Sequence, residues 1–317
     1  MAKRFSTRNR LIIIGLMGGC VLFGAAAHYC FWLRRPVGSG PAGSTVSAAL
    51  FERQWTTRSV LLVGLGDSVT AGFGARKGYS YFDRLVANPS DEFAEMDGRC
   101  LSRVIKDLSV TNLALSGSTS LSHLKMGLAR LKVQPTNVFG VVAITTGGND
   151  IIHNYGMTLP KEGAMYGASL TQAKPWIENF EKRLENILSE IEARFPGGCH
   201  IYLANIYDPT DGVGDAEKAG LPHWPDGLAI IASYNRIIDQ CASKRQNVYL
   251  VDIHSAFLGH GIHCAQFWRA HYCKDDPYYW FHENLEDPNE RGYDALRRLF
   301  LLRMAQRFTG EKELLRP

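Results

Sequence analysis

Five short runs, almost continuous in apolar residues, alternate along this chain with longer amphipathic stretches. The runs are 60–65, 110–115, 138–145, 201–206 and 248–253. A strand covered by helices on both faces reads this way, because neither side of it meets water. The stretches between them (79–87, 100–108, 121–132, 175–195, 228–243), together with 290–308 after the last run, carry helical spacing, as in Leu121, Leu124, Leu128 and Leu131. Strands and helices that alternate predict an α/β fold: a parallel five-stranded sheet between two helical layers, a three-layer α/β/α sandwich. In open sheets of this kind ligands bind beyond the carboxyl ends of the strands. The residues that follow each run are therefore the ones to read.

A different constraint acts before the first run. Residues 11–33 contain no Asp, Glu, Lys or Arg over 23 positions, and about 20 apolar residues span a bilayer. Lys3, Arg4, Arg8 and Arg10 precede this run, and only Arg34 and Arg35 follow it directly. That bias places the N-terminus in the cytoplasm and the remainder outside. Ala25-Ala26-Ala27 could serve as a signal-peptide cleavage site. The apolar run continues past it through Cys30, Phe31 and Trp32, which favours an uncleaved signal anchor. The expected organisation is a cytoplasmic tip and membrane anchor over 1–35, a Gly/Pro/Ser-rich linker over 36–45, and one extracytoplasmic domain over 46–317.

The net charge is +4 over 317 residues. Four of the cations precede the apolar run, so the folded part is close to neutral, which argues against nucleic acid as a partner. Of seven cysteines, two lie in the apolar run and none forms a Cys-x-x-Cys pair. Cys264 and Cys273 bracket a short loop and are the best-placed pair for a disulfide; the alternative is that the cysteines are unpaired small hydrophobes. Asp208, Asp211 and Asp215 lie in a Gly-containing loop that could hold Ca²⁺, but the spacing is not that of an EF-hand and solvated turns look alike. No metal or cofactor is expected.

Three turns carry chemistry. Gly66-Asp67-Ser68 follows the first run, Ser116-Gly117-Ser118 the second, and Gly147-Gly148-Asn149-Asp150 the third. A Ser at a strand end can present its hydroxyl to a cleft. A Gly N–H and an Asn amide can both donate to one oxyanion. Each turn alone is weak; three in order after three successive strands are specific.

These residues resemble the SGNH (GDSL-like) hydrolases over roughly 60–308. The resemblance implies a flavodoxin-like fold and ester or acyl hydrolysis through an acyl-enzyme. It further implies Ser68 as nucleophile and an oxyanion hole from Ser68 N–H, Gly117 N–H and the Asn149 amide. The family's last block, Asp-x-x-His before Pro-Asn-x-x-Gly-Tyr, is altered. The tail is present as Pro288-Asn289-Glu290-Arg291-Gly292-Tyr293, but Asn284 and Asp287 stand where the Asp and His belong. One repair is a block split after His260-Gly261-Ile262-His263, with His263 as base, Asp287 orienting it, and the insertion 264–286 folded back by a Cys264–Cys273 bridge. A second is His282 as base. His254, His260 and His271 have plain packing or backbone-bonding readings.

The expected activity is hydrolysis of a carboxylic ester at the membrane, on a small-molecule, glycan or lipid substrate. Residues 153–173 and 221–224, with Trp268 and Trp280, are candidates to line an acyl pocket. The alternatives are an acyltransferase acting on a cell-envelope glycan, and a binding protein on a degraded hydrolase fold.

Overall fold

The computed structural model describes residues 7–310, with side chains from Ile12 onward. Lys3, Arg4, the side chains of Arg8 and Arg10, and residues 311–317 lie outside the described part. In chain order, α1 (Thr7–His28) precedes β1 (Ser59–Gly66), α2 (Ser68–Ala71), α3 (Tyr81–Val86), α4 (Leu101–Val104), β2 (Leu108–Asn112), α5 (Ser120–Met126) and β3 (Val138–Thr145). Then follow α6 (Gly148–Ile152), α7 (Leu170–Arg194), β4 (Cys199–Ala204), α8 (Gly227–Ser243), β5 (Val248–Val251), α9 (Ile253–Phe257) and α10 (Glu290–Thr309).

The five strands form one sheet in the order β2-β1-β3-β4-β5, and every pairing is parallel. The expected three-layer architecture is the one observed. Alternate residues of each strand feed opposite cores. Val60, Leu62, Val141, Ala143 and Tyr202 pack with α3 and α10 on one face. Val63, Leu65, Val142, Ile144 and Leu203 pack with α7 and α8 on the other. At roughly 1.5–3 kcal/mol for each fully buried large apolar side chain, this two-sided burial dominates the fold's stabilisation.

Local differences from expectation have local causes. Helix α7 begins at Leu170 because the Ser169 side chain caps the Gln172 N–H, and Pro175 then falls inside the helix instead of opening it. Residues 100–108 divide: α4 ends at Val104 and β2 already begins at Leu108, two residues before the apolar run that announced it. The Gly/Pro-rich stretch 36–45 is bound along the domain. Tyr279 N–H donates to Pro36 O at 2.7 Å, Arg291 to Ser39 O at 2.9 Å, and Ala42 N–H to Asp294 at 3.0 Å.

Helix α10 is buried on nearly all sides and carries charge into the core. Arg297 is fully buried against Asp294 at 2.6 Å and also pairs with Glu92. Arg84 reaches Glu92 at 2.6 Å, and Arg298 reaches Asp294 at 3.0 Å. Burial alone would raise the Glu92 pKa, but hydrogen bonds from Arg84 and Arg297 hold it down at about 2. Buried charges persist when each is paired and hydrogen-bonded, as these are.

The chain leaves β1 toward β2 on one side and later returns to β1's other side as β3. That reversal is the topological switch point of an open sheet. Gly66, at the end of β1, is in register with Thr145, at the end of β3. The turns singled out in the sequence therefore meet at one crevice.

Candidate active site

At the end of β1, Gly66 has φ +122°, and a Cβ there would lie 2.0 Å from Thr145 O. Only glycine lets the two strand ends approach this closely. Asp67 then caps α2: its Oδ1 accepts from Val69 N–H at 3.2 Å and from the Thr145 hydroxyl at 2.6 Å. Burial lifts the Asp67 carboxyl to about 6 against the pull of Thr145. Ser68, the first residue of α2, is buried and lines a cleft at the strand ends.

The other two turns are locked to the first. The Ser118 hydroxyl donates to Gly66 O at 2.9 Å, and the Asn149 amide donates to Ser118 O at 2.9 Å. An NH₂ group has two protons, so Asn149 keeps one for a ligand. Gly117 sits at φ +77° with nothing near the place of a Cβ. His123 bridges the turns from below: Nε2 lies 3.1 Å from Ser118 Oγ and Nδ1 lies 3.0 Å from Thr146 Oγ1. Burial lowers the His123 pKa to about 4, so the ring is neutral at pH 7. Because Ser118 gives its proton to Gly66, Nε2–H is the donor and Nδ1 accepts from Thr146, an assignment made from the bonding pattern. Nothing in the sequence marked His123: Ser118 is a near neighbour in the chain, but Thr146, 23 residues on, meets it only in the folded protein.

The altered block closes the site. Asn284 donates from Nδ2 to Asp287 Oδ2 at 2.7 Å, while its Oδ1 accepts from the Asp287 N–H at 3.2 Å. Asp287 is buried next to Ser68. Burial raises its pKa, and hydrogen bonding from the Ser68 hydroxyl, then from Asn284, and the charge of His282 pull it back. Asp287 Oδ1 itself makes no hydrogen bond of ordinary geometry. Glu286 lines the same cleft; burial lifts its carboxyl to about 7, offset by the Tyr155 hydroxyl and reinforced by Asp287 and Asp67. The cleft also has apolar lining from Ile151, Ile206, Ile231, Ile253 and Leu285.

His263 and Asp287, expected to meet at the rejoined block, are not brought together. His263 donates its backbone N–H to Asp211 at 2.9 Å, and its Nε2 lies 2.7 Å from Asp215. It does not line the Ser68 cleft. The loop after β4 accounts for this: Asp211 also accepts from Gly259 N–H at 2.9 Å and Gly261 N–H at 2.7 Å, which clamps the segment carrying His263. The carboxylates read as possible Ca²⁺ ligands are engaged here, with Asp208 bonding Thr210 and Gly212. His282 does lie beside Asp287: its N–H donates to Asp287 O at 2.7 Å, and its ring packs edge-on against Phe73 at 5.9 Å.

Two further expectations are corrected. Cys264 and Cys273 are free thiols; Cys264 packs as a small hydrophobe in the core around α10. Trp268 and Trp280 do not line the cleft. Trp280 is buried against the His260 ring at 3.5 Å, and Trp268 packs on Phe31 and Trp32 at the end of the N-terminal helix.

A five-stranded parallel sheet in this strand order, with a buried Ser at its switch point, is an α/β/α domain of the hydrolase type. A family model for GDSL-like lipases/acylhydrolases matches residues 65–295. The chain belongs to that family and is an esterase-type hydrolase by that membership. No curated protein matches it significantly. Among solved structures, an extracellular lipase from Streptomyces rimosus superposes with TM-score 0.50 at 19% identity, over 78% of this chain and 99% of that one. A phospholipase A1 from Streptomyces albidoflavus gives TM-score 0.48 at 19% identity, over 78% and 100%. An acetylxylan esterase from Geobacillus stearothermophilus gives 0.45 at 17%, over 83% and 98%. The first of these likenesses is one of fold.

Proposed function

We propose that this chain hydrolyses a carboxylic ester with an apolar acyl part, and that Ser68 and Asp287 do so without an imidazole between them. The observation that carries the reading is the Asn284–Asp287 pair set against Ser68. Asp287 takes the Ser68 proton as Oγ attacks the ester carbonyl. The oxyanion is held by Ser68 N–H, Gly117 N–H and the free proton of the Asn149 amide. Collapse breaks the ester C–O bond, and the alcohol leaves with the proton from Asp287. Water, deprotonated by the same carboxylate, then releases the acid and restores Ser68. Burial raises the Asp287 carboxyl above its ordinary value, and a carboxylate made more basic in this way suits a general base. His263 has no part in this chemistry, and His282 stands beside Asp287 through its backbone N–H.

The apolar helix near the N-terminus, Ile12–Leu33, is long and apolar enough to cross a membrane. We read it as an anchor, with the hydrolase domain outside the cytoplasm by its basic flanks. The test is turnover of short chromogenic esters by the full chain in detergent, beside Ser68→Ala and Asp287→Asn. Loss in both variants supports the reading; full turnover by Ser68→Ala overturns it. The presence of a carboxylate where the family has imidazole also favours a second reading, a binding protein with a silent site. No fluorophosphonate labelling of Ser68, together with no turnover, would select that one.

A further inference from the structure

We infer that Phe267 and Trp268 form a second membrane contact, which seats the hydrolase domain on the lipid interface beside its own anchor. The inference rests on the anchor reading above. The partner is the headgroup zone of the bilayer that holds the N-terminal helix.

The argument is one of depth. Helix α1 runs on through the turn Tyr29–Leu33, and the apolar span is Ile12–Leu33, 22 residues. At about 1.5 Å per residue that is about 33 Å, against about 30 Å of hydrocarbon. The last turn, with Phe31 and Trp32, therefore lies at the boundary between acyl chains and headgroups. Whatever packs on those two rings shares their depth. Trp268 does: its ring centroid is 5.2 Å from Phe31 and 5.2 Å from Trp32. Phe267 is 5.8 Å from Phe31. Gln266, itself buried, ties the segment to the helix by donating to Phe31 O at 2.9 Å.

The exposed area fits the same partner. Phe267 is 63% exposed and Trp268 45%. Neighbouring aromatic rings left in water after packing on a helix end form an apolar patch continuous with the span. Trp and other amphipathic rings are favoured at headgroup level, where an apolar body and a polar edge are both satisfied. The segment is also rigidly joined to the site: Ile262 N–H donates to Pro209 O at 2.9 Å, and Pro209 lines the Ser68 cleft. Seating this loop in the interface holds the cleft near the membrane surface.

The test uses the full chain reconstituted in phosphatidylcholine vesicles, with lipids brominated near the headgroup end of the acyl chains. Tryptophan emission is compared among the wild type, Trp268→Phe and Trp32→Phe, so that each difference spectrum isolates one ring. The expected result is loss of both the Trp32 and the Trp268 contributions on bromination. A quenched Trp32 with an unquenched Trp268 overturns the docking and leaves the anchor standing. If neither is quenched, the anchor reading fails and the docking with it. Phe267→Ser provides a second readout: Trp268 quenching should weaken, and no change would count against a shared contact.

Discussion

The side-chain amide of Asn284 donates to Asp287 at 2.7 Å, and the carboxylate it holds is the one beside the Ser68 hydroxyl. The three-residue spacing of the family's Asp-x-x-His is thus kept in Asn284 and Asp287, but the polarity of the pair is inverted. A carboxylate that would orient an imidazole is replaced by an amide that orients a carboxylate. The amide also accepts from the backbone N–H of Asp287, so the loop and its side chain are fixed together.

Asp287→Asn keeps the shape of the site and removes its proposed base. The expected loss in kcat is about 10²–10⁴-fold, the usual contribution of a general base, with stability little changed because the buried charge is gone. Steady-state kinetics on a chromogenic ester, with thermal unfolding run in parallel, checks this.

The acid limb of activity should fall above the ordinary carboxylate range. Asp287 works only when ionised, and burial raises its pKa, so kcat/KM should rise with pH toward neutrality. The Asn284 hydrogen bond favours the ionised form and lowers that pKa. Asn284→Leu therefore moves the limb to higher pH. A pH–rate profile in which the limb moves down, or stays, would remove Asp287 from the base role.

Asn149→Ala takes away one proposed oxyanion donor. The expected cost is about 10²–10³-fold in kcat, with KM close to the wild-type value, since the donor matters most when charge develops. A loss confined to KM would assign Asn149 to ground-state binding instead.

His123 positions both oxyanion turns through Ser118 and Thr146. His123→Ala should lower kcat by up to about 10²-fold, the scale of a small misplacement of reacting groups. It should leave the pH profile between about 5 and 8 unchanged, because burial has already lowered the His123 pKa to about 4. A changed profile would mean that His123 exchanges protons in the reaction.

Glu92 holds the buried arginines of α3 and α10. Removing it in Glu92→Ala leaves Arg84 and Arg297 to share Asp294, so the buried cluster carries one uncompensated positive charge, a change that costs about 3–5 kcal/mol. Denaturant unfolding measures it. The Glu92 pKa is depressed from 4.5 to about 2, so its stabilisation is complete above about 4.5 and is lost as pH falls through about 2. Acid unfolding of the wild type should show that window, and the variant should lack it.

Much of this protein was legible in its residues because the signals are local or periodic. The apolar runs marked five strands, and β3 matches the expected Val138–Thr145 end for end. The turns at Ser68, Gly117 and Asn149 were visible because strand ends are where short polar–glycine motifs stand out. The 22-residue apolar span was visible because bilayer thickness sets a length. Which groups share the site with Ser68 was not legible. His263 looked available from its motif, yet Asp211 and Asp215 hold it in a loop clamp made of contacts about 50 residues apart in sequence, and no spacing rule encodes those. Trp268 looked suited to an acyl pocket and instead meets Phe31 and Trp32, more than 230 positions earlier. Periodicity and local turn chemistry determine strands, helices and the places where chemistry can stand. Which distant side chains complete a site depends on how loops close over the sheet, and that is decided by packing in three dimensions.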